Sequence, residues 1–273
     1  MPTRPIRLLL ADVDGTLVTS DKALTDRAVQ AAHKLHDAGV LFAVTSGRPP
    51  RGMNMIIEPL ALATELAAFN GGLIVNPDMT VVEQQVIPAE VVAPVVALME
   101  SYGLGVWIYR GADWYVRDMK GPHVDRESWT VQFAPTLVPG FDGLEQGAAK
   151  IVGVSDDHQV VETAAVAARA QFGEHVSAAR SQPYYLDVTH PQANKGSVVK
   201  HWSAKLQISP AQIATIGDMP NDTLGGQLGK NLVRRLFPQH LYPRRPYWSD
   251  PTDGATGCPE AGKWSEEVLG RKT

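Results

Sequence analysis

The chain has 273 residues, a formal net charge of −4, 44% hydrophobic and 20% charged residues, which is an ordinary globular composition with length enough for two modest domains. No long basic run offers a face to a nucleic-acid backbone, and no stretch of about 18 apolar residues could cross a membrane as a helix. One cysteine, Cys258, excludes an intrachain disulfide framework and a multi-cysteine metal site, and points to a reducing cytoplasm; the proline-bearing start lacks the apolar region of a signal peptide.

Residues 6–11 form an apolar run short enough for a buried parallel strand. Thr25 follows as a helix cap, with Ala28, Val29, Ala32 and Leu35 at helical spacing and Gly39 in the closing position. Residues 40–44 and 66–69 are further strand-like runs, broken by Ser46-Gly47-Arg48-Pro49 and by Asn70-Gly71-Gly72. Alternating strands and helices predict a parallel sheet covered by helices.

The rhythm changes beyond this point. A helix over 89–102 precedes strands at 106–109 and 114–117, and a helix over 157–172 precedes strands at 176–179 and 184–188. Two helix-plus-hairpin units predict a separate α+β domain with an approximate internal repeat. Residues 119–147, rich in Pro, Gly and Asp, carry no clear pattern. The first pattern returns with a helix over 196–206 and a strand at 213–216. The expected fold is therefore α/β: a Rossmann-like parallel sheet core over 1–83 and 186–273, with an inserted α+β cap domain over 84–185.

Four segments carry chemistry. Asp12-Val13-Asp14-Gly15-Thr16-Leu17 follows the first strand, and residues i and i+2 of extended chain point the same way. Asp12 and Asp14 thus present two carboxylates where open α/β sheets bind ligands. One can attack phosphorus, and the other can protonate the leaving oxygen and then deprotonate water. The plain alternative is a turn, since Asp-Gly favours hairpins. Thr45-Ser46-Gly47-Arg48 supplies a hydroxyl and a backbone N–H suited to a phosphate oxygen, or is only a turn. Lys195, in Asn194-Lys195-Gly196, is a compact cation for phosphoryl oxygens, or a solvated lysine. Gly217-Asp218-Met219-Pro220-Asn221-Asp222 offers hard oxygen ligands for Mg2+, or is an acidic turn. A parallel sheet would gather all four on one edge, where three carboxylates repel unless a divalent cation lies among them.

In this order the four segments resemble the motifs of the haloacid dehalogenase superfamily. The insertion, with Phe69-Asn70-Gly71-Gly72 before it, is similar to the large cap of the Cof-type sugar-phosphatase branch. The resemblance covers about residues 5–222 and implies a magnesium-dependent phosphatase acting on a small phosphorylated metabolite, a sugar phosphate or a phosphorylated cofactor precursor. It implies Asp12 as nucleophile and Asp14 as general acid/base. Mg2+ would be held by Asp12, the Asp14 carbonyl and Asp218. Ser46, Gly47, Lys195 and Asn221 would contact the phosphoryl group, with Asp222 in support. Alternatives are a phosphomutase like the phosphomannomutases and an inactive binding or regulatory relative. Oligomeric state is not expressed in the sequence.

Residues 223–273 depart from that pattern. They are rich in Pro, Arg, Gly and Trp, including Pro243-Arg244-Arg245-Pro246, a composition suited to loop or disorder. Loss of periodicity directly after an intact motif suggests, as a hypothesis, a shifted reading frame; resequencing the gene region tests it, and a confirmed frame with a well-folded tail counts against it. A core without its last strand and helix is expected to be marginally stable.

Overall fold

The computed structural model describes residues 5–217; Asp218, Asn221, Asp222 and the atypical 223–273 segment lie outside the described residues. In chain order the elements are β1 (Leu8–Asp12), α1 (Asp26–Asp37), β2 (Leu41–Thr45), α2 (Asn54–Ile57), β3 (Leu66–Ala68), β4 (Leu73–Val75), β5 (Val81–Gln84) and α3 (Ala89–Ser101). They continue as β6 (Gly105–Arg110), β7 (Asp113–Val116), α4 (Val124–Val131), β8 (Thr136–Leu137), β9 (Ala148–Val154), α5 (His158–Phe172), β10 (Ser177–Gln182), β11 (Tyr185–Thr189), α6 (Lys195–Leu206) and β12 (Ile213–Ile216). The described chain divides into two compact units, 5–46 with 54–67 and 194–217, and 47–53 with 68–193.

The first unit is built on parallel strands. β1 lies between β12 and β2, with Ala11 level with Ile216 and Asp12 level with Thr45, and Thr45 in turn pairs with Ala67 on β3. All five β1 residues are buried, as expected for a parallel strand covered on both faces. The sequence of α1 explains its limits. Thr25 accepts a hydrogen bond from the Ala28 N–H, Ala28, Ala31, Ala32 and Leu35 form the buried stripe, and Gly39 takes a φ of +72° just beyond the end. Asn194 caps α6 in the same way, through the Ser197 N–H.

The second unit is α+β, and its main sheet runs in the order β10-β11-β9-β6-β7-β8. All its pairings are antiparallel except β7 with β8. One face carries Val106, Ile108, Ile151, Leu186 and Val188, which join Val92, Val95 and Met99 of α3 and Val161, Ala165 and Ala168 of α5 in a single core. Alternation along the strands puts Trp107, Tyr109, Lys150, Tyr185 and Asp187 on the other face.

Several elements, α4 and β9 among them, arise where the sequence pattern was silent. Within 119–147 the chain forms α4, entered through His123 and left through Gln132, both in the left-handed region. The centre of the sheet is β9, a strand with a glycine in it. A Cβ on Gly153 would stand 2.8 Å from Leu104 Cδ1 and 3.1 Å from Met99 Sδ, so a larger residue there would require those side chains to shift.

Candidate active site

The parallel register of the first unit sets the site. Asp12 ends β1, Thr45 ends β2 beside it, and neighbouring residues of parallel strands project to the same face. Lys195, the first residue of α6, donates from Nζ to Asp12 Oδ1 at 2.8 Å. Asp12 and Lys195 are both buried, at 6% and 5% exposure. The contact spans 183 positions of sequence. A buried carboxylate needs such a partner, because the desolvation of an unpaired charge is prohibitive.

Asp14 follows two residues later, beyond the strand, and accepts from Lys22 Nζ at 2.7 Å. The turn between them needs Gly15, at φ +74°. Lys22 was not singled out in the sequence, where it reads as one more surface lysine. The signal available was its place in the loop between β1 and α1. Ser46 is 1% exposed and its N–H donates to the Ala67 carbonyl, which anchors the end of β2 to β3.

Two hydroxyls near this edge are conspicuous. Thr45 Oγ1 and Thr215 Oγ1 are buried and have no hydrogen-bond partner among the described residues. Thr215 pairs with Leu10, two residues before Asp12, so both threonines lie on the Asp12 face of the sheet. A buried orphan hydroxyl costs about 1–3 kcal/mol, and its retention beside a nucleophile candidate suits a ligand oxygen. Sequence reading included Thr45 only as part of its segment.

A further carboxylate braces the unit. Glu65, 5% exposed, accepts from His201 Nε2 at 2.8 Å and from Lys205 Nζ. Burial by itself raises its proton affinity, but hydrogen bonds from Lys205 and His201 outweigh this and hold the carboxyl below its ordinary value.

In the second unit, Gly47 begins the segment after Ser46, and a Cβ there would meet Asn70 Nδ2 at 3.6 Å. Asn70 has a left-handed backbone, at φ 57°, and its buried Oδ1 has no hydrogen-bond partner among the described residues. The unusual backbone of Phe69-Asn70-Gly71, all three at positive φ, thus holds an amide beside Gly47. Arg48 is buried and donates to the Gly52 carbonyl at 2.9 Å.

Among the described residues no group of three or more His, Cys, Asp or Glu side chains could hold a metal ion; Asp218 lies outside them. The donors that are described, the Asp12 carboxylate and the Asp14 backbone carbonyl, are hard oxygens of the kind Mg2+ prefers.

The sequence profile of the haloacid dehalogenase-like hydrolases matches residues 9–224. The chain belongs to that family. Among its relatives, the HMP-PP phosphatase of Cronobacter sakazakii is 27% identical over 245 residues, covering 86% of each chain. The 5-amino-6-(5-phospho-D-ribitylamino)uracil phosphatase of Bacillus subtilis is 31% identical over 106 residues, which is 38% of this chain and 39% of that one. A haloacid dehalogenase-like hydrolase from Bacteroides thetaiotaomicron shares the fold with a TM-score of 0.73 at 22% identity, covering 80% of this chain and 83% of that one. Family membership and these relatives support one enzyme class for this haloacid dehalogenase-like hydrolase, the phosphoric monoester hydrolases. Phosphatases of the superfamily generally use a divalent metal.

Proposed function

We propose that the chain is a cytoplasmic, magnesium-dependent phosphatase that hydrolyses a small phosphorylated metabolite through an aspartyl-phosphate on Asp12. The observation that carries this reading is the buried contact between Lys195 and Asp12. It sets a nucleophilic carboxylate beside a cation that can neutralise phosphoryl oxygens, as phosphoryl transfer requires.

In the proposed sequence an Asp12 oxygen forms a bond to phosphorus while the bond to the leaving oxygen breaks. Asp14, as the acid, gives its proton to that oxygen. The resulting Asp14 carboxylate then takes a proton from water, whose oxygen attacks phosphorus and releases inorganic phosphate and the Asp12 carboxylate. Lys195, Ser46 and the Gly47 N–H hold the phosphoryl oxygens. Asn221 would contact or orient the same group, and Asp222 would support Lys195 or the water shell of the metal. Asp12, the Asp14 carbonyl and Asp218 would hold Mg2+, which would supply positive charge against the developing phosphoryl charge. The second unit acts as the cap that chooses the substrate.

Hydrolysis of p-nitrophenyl phosphate by the parent chain and by Asp12→Asn, with and without Mg2+, tests the reading. Magnesium-dependent release that disappears in the variant is expected. Variant activity within about tenfold of the parent, roughly 1.4 kcal/mol of barrier, overturns the role of Asp12.

A further inference from the structure

Within the first unit, Glu65 connects two residues that the proposed reaction assigns to the phosphoryl oxygens, Ser46 and Lys195. Glu65 is buried and immediately precedes β3. The chain on either side of it is bonded to β2 and its extension. Thr64 Oγ1 donates to the Phe42 carbonyl at 2.7 Å, and the Ala67 carbonyl accepts the Ser46 N–H at 2.9 Å. The Glu65 carboxylate accepts from His201 Nε2 through one oxygen and from Lys205 Nζ through the other. His201 and Lys205 lie one turn apart on one face of α6. Both lean on Trp202: His201 is edge-on at 5.7 Å between ring centroids, and Lys205 Nζ is 5.9 Å from the ring centroid. Trp202 is buried with Val198 and Val199 on the same helix, which begins at Lys195.

A buried ion pair adds little net stability over well-packed apolar residues of the same volume, because desolvation consumes most of the attraction. What it supplies is direction. An ionised carboxylate only accepts, and both oxygens of Glu65 are committed to α6. Lys195 needs a helix fixed in this way. It is the first residue of α6, where helices fray, and its ammonium meets Asp12 at the end of a flexible four-carbon stem. A shift of α6 along or about its axis therefore moves Lys195 Nζ relative to Ser46. The 12 residues of α6, about 18 Å of helix, carry the anchorage at 201 and 205 to residue 195 as a rod. Such placement matters to chemistry, since a displacement of about 1 Å can cost about 10²-fold in rate.

We infer that Glu65 is a positioning residue for Lys195. By holding His201 and Lys205 it fixes α6 against the strand segment that anchors Ser46, so one frame sets both the cation and the hydroxyl that meet a phosphoryl group. The task given to Lys195 and Ser46 rests on the phosphatase reading; Glu65 itself touches no reacting atom. Its partners lie 136 and 140 positions away in the chain, which is why the sequence alone does not single it out.

Titration calorimetry of the full chain with inorganic phosphate in the presence of Mg2+, beside p-nitrophenyl phosphate kinetics, tests the inference at a temperature well below each variant's melting point. Glu65→Gln is expected to raise the phosphate Kd and the KM about tenfold, as a misplaced cation requires. Lys205→Met should give a smaller rise, which Lys205→Arg restores by keeping a charged donor. A variant that is merely less folded loses kcat in proportion to its active fraction while Kd and KM stay at the parent values, and that pattern in Glu65→Gln overturns the assignment. Ser203→Ala removes a bond to the Ile208 carbonyl at the same end of α6, at 2.6 Å, without touching Glu65, and should leave the phosphate Kd unchanged. A loss equal to that of Glu65→Gln would assign the effect to general damage of the helix and overturns the inference as well. If Glu65→Gln does not fold, the Lys205 pair decides, because that side chain is 45% exposed and tolerates exchange. A parent that hydrolyses the ester while Glu65→Gln matches it in Kd and KM ends the positioning role and leaves the phosphatase reading standing. A parent that neither binds phosphate nor hydrolyses the ester removes both.

Discussion

Lys195 Nζ lies 2.8 Å from Asp12 Oδ1, and the two side chains retain only 5% and 8% of their exposure. One is the first residue of a helix and the other the last residue of a strand. Removing one member of such a buried pair leaves a charge in a poorly solvated place, at a cost of about 3–5 kcal/mol. Lys195→Met is therefore expected to destabilise the chain by that order in urea denaturation. The double variant with Asp12→Asn should recover part of the loss, since no carboxylate is then stranded. A Lys195→Met variant as stable as the parent contradicts this account of the pair.

Asp14 and Lys22 behave differently because they are partly exposed, with 35% and 20% of the side-chain surface accessible. An exposed ion pair contributes about 0–1 kcal/mol. Asp14→Asn should leave the unfolding midpoint nearly unchanged while lowering phosphatase turnover about 10²–10⁴-fold, the usual contribution of a general acid/base. A loss of stability matching the loss of activity would show Asp14 to be structural.

Thr45 presents the opposite trade. Its buried hydroxyl has no hydrogen-bond partner among the described residues, and replacing an unsatisfied polar group by an apolar one of the same shape is neutral or stabilising. Thr45→Val is expected to hold or raise the melting temperature. It should lower kcat/KM for p-nitrophenyl phosphate about tenfold, near 1.4 kcal/mol, if the hydroxyl meets a phosphoryl oxygen. Unchanged kinetics would remove Thr45 from the site.

Glu65 sets a pH dependence. Burial opposes its ionisation, yet Lys205 and His201 hold the folded carboxyl below the ordinary value of 4.5. Because the folded value is depressed, Glu65 adds stability above pH 4.5, and that stability is lost as pH falls below 4.5 through the folded value. Glu65→Gln should be less stable than the parent at pH 7, with the difference shrinking toward acid. Parallel stability curves for the two proteins below pH 4.5 would refute the linkage.

Gly153 tests the packing of the second unit. Since its would-be Cβ meets Leu104 and Met99 inside contact distance, Gly153→Ala should destabilise by about 1–3 kcal/mol through overpacking. Thermal unfolding measures this, and a neutral result would mean that α3 yields without cost.

Much of the fold is legible in the sequence because local rules and tertiary structure agree there. The apolar run ending at Asp12, the Thr25 cap, and the helix starting near Lys195 follow from burial and capping preferences that any fold must honour. What failed to register has physical reasons as well. α4 lies in a segment rich in turn formers, between two residues with left-handed backbone, and β9 carries Gly153, which weakens a strand pattern. The Phe69-Asn70-Gly71 turn was visible as a break, while its consecutive positive φ angles were not.

The sequence by itself determined the chemical inventory of this protein: two carboxylates after a strand, a hydroxyl after the next, a lysine at a helix start, and the haloacid dehalogenase motif order that they compose. Tertiary structure alone decided which of these meet. Lys195 reaches Asp12 rather than solvent because parallel register and α6 bring them together across 183 positions, a separation at which no local preference acts. It also decided that Tyr185 and Asp187 keep unpartnered atoms on one sheet face. Hydrogen-bond satisfaction is a property of a packed environment, and a residue's neighbours in the chain do not contain it.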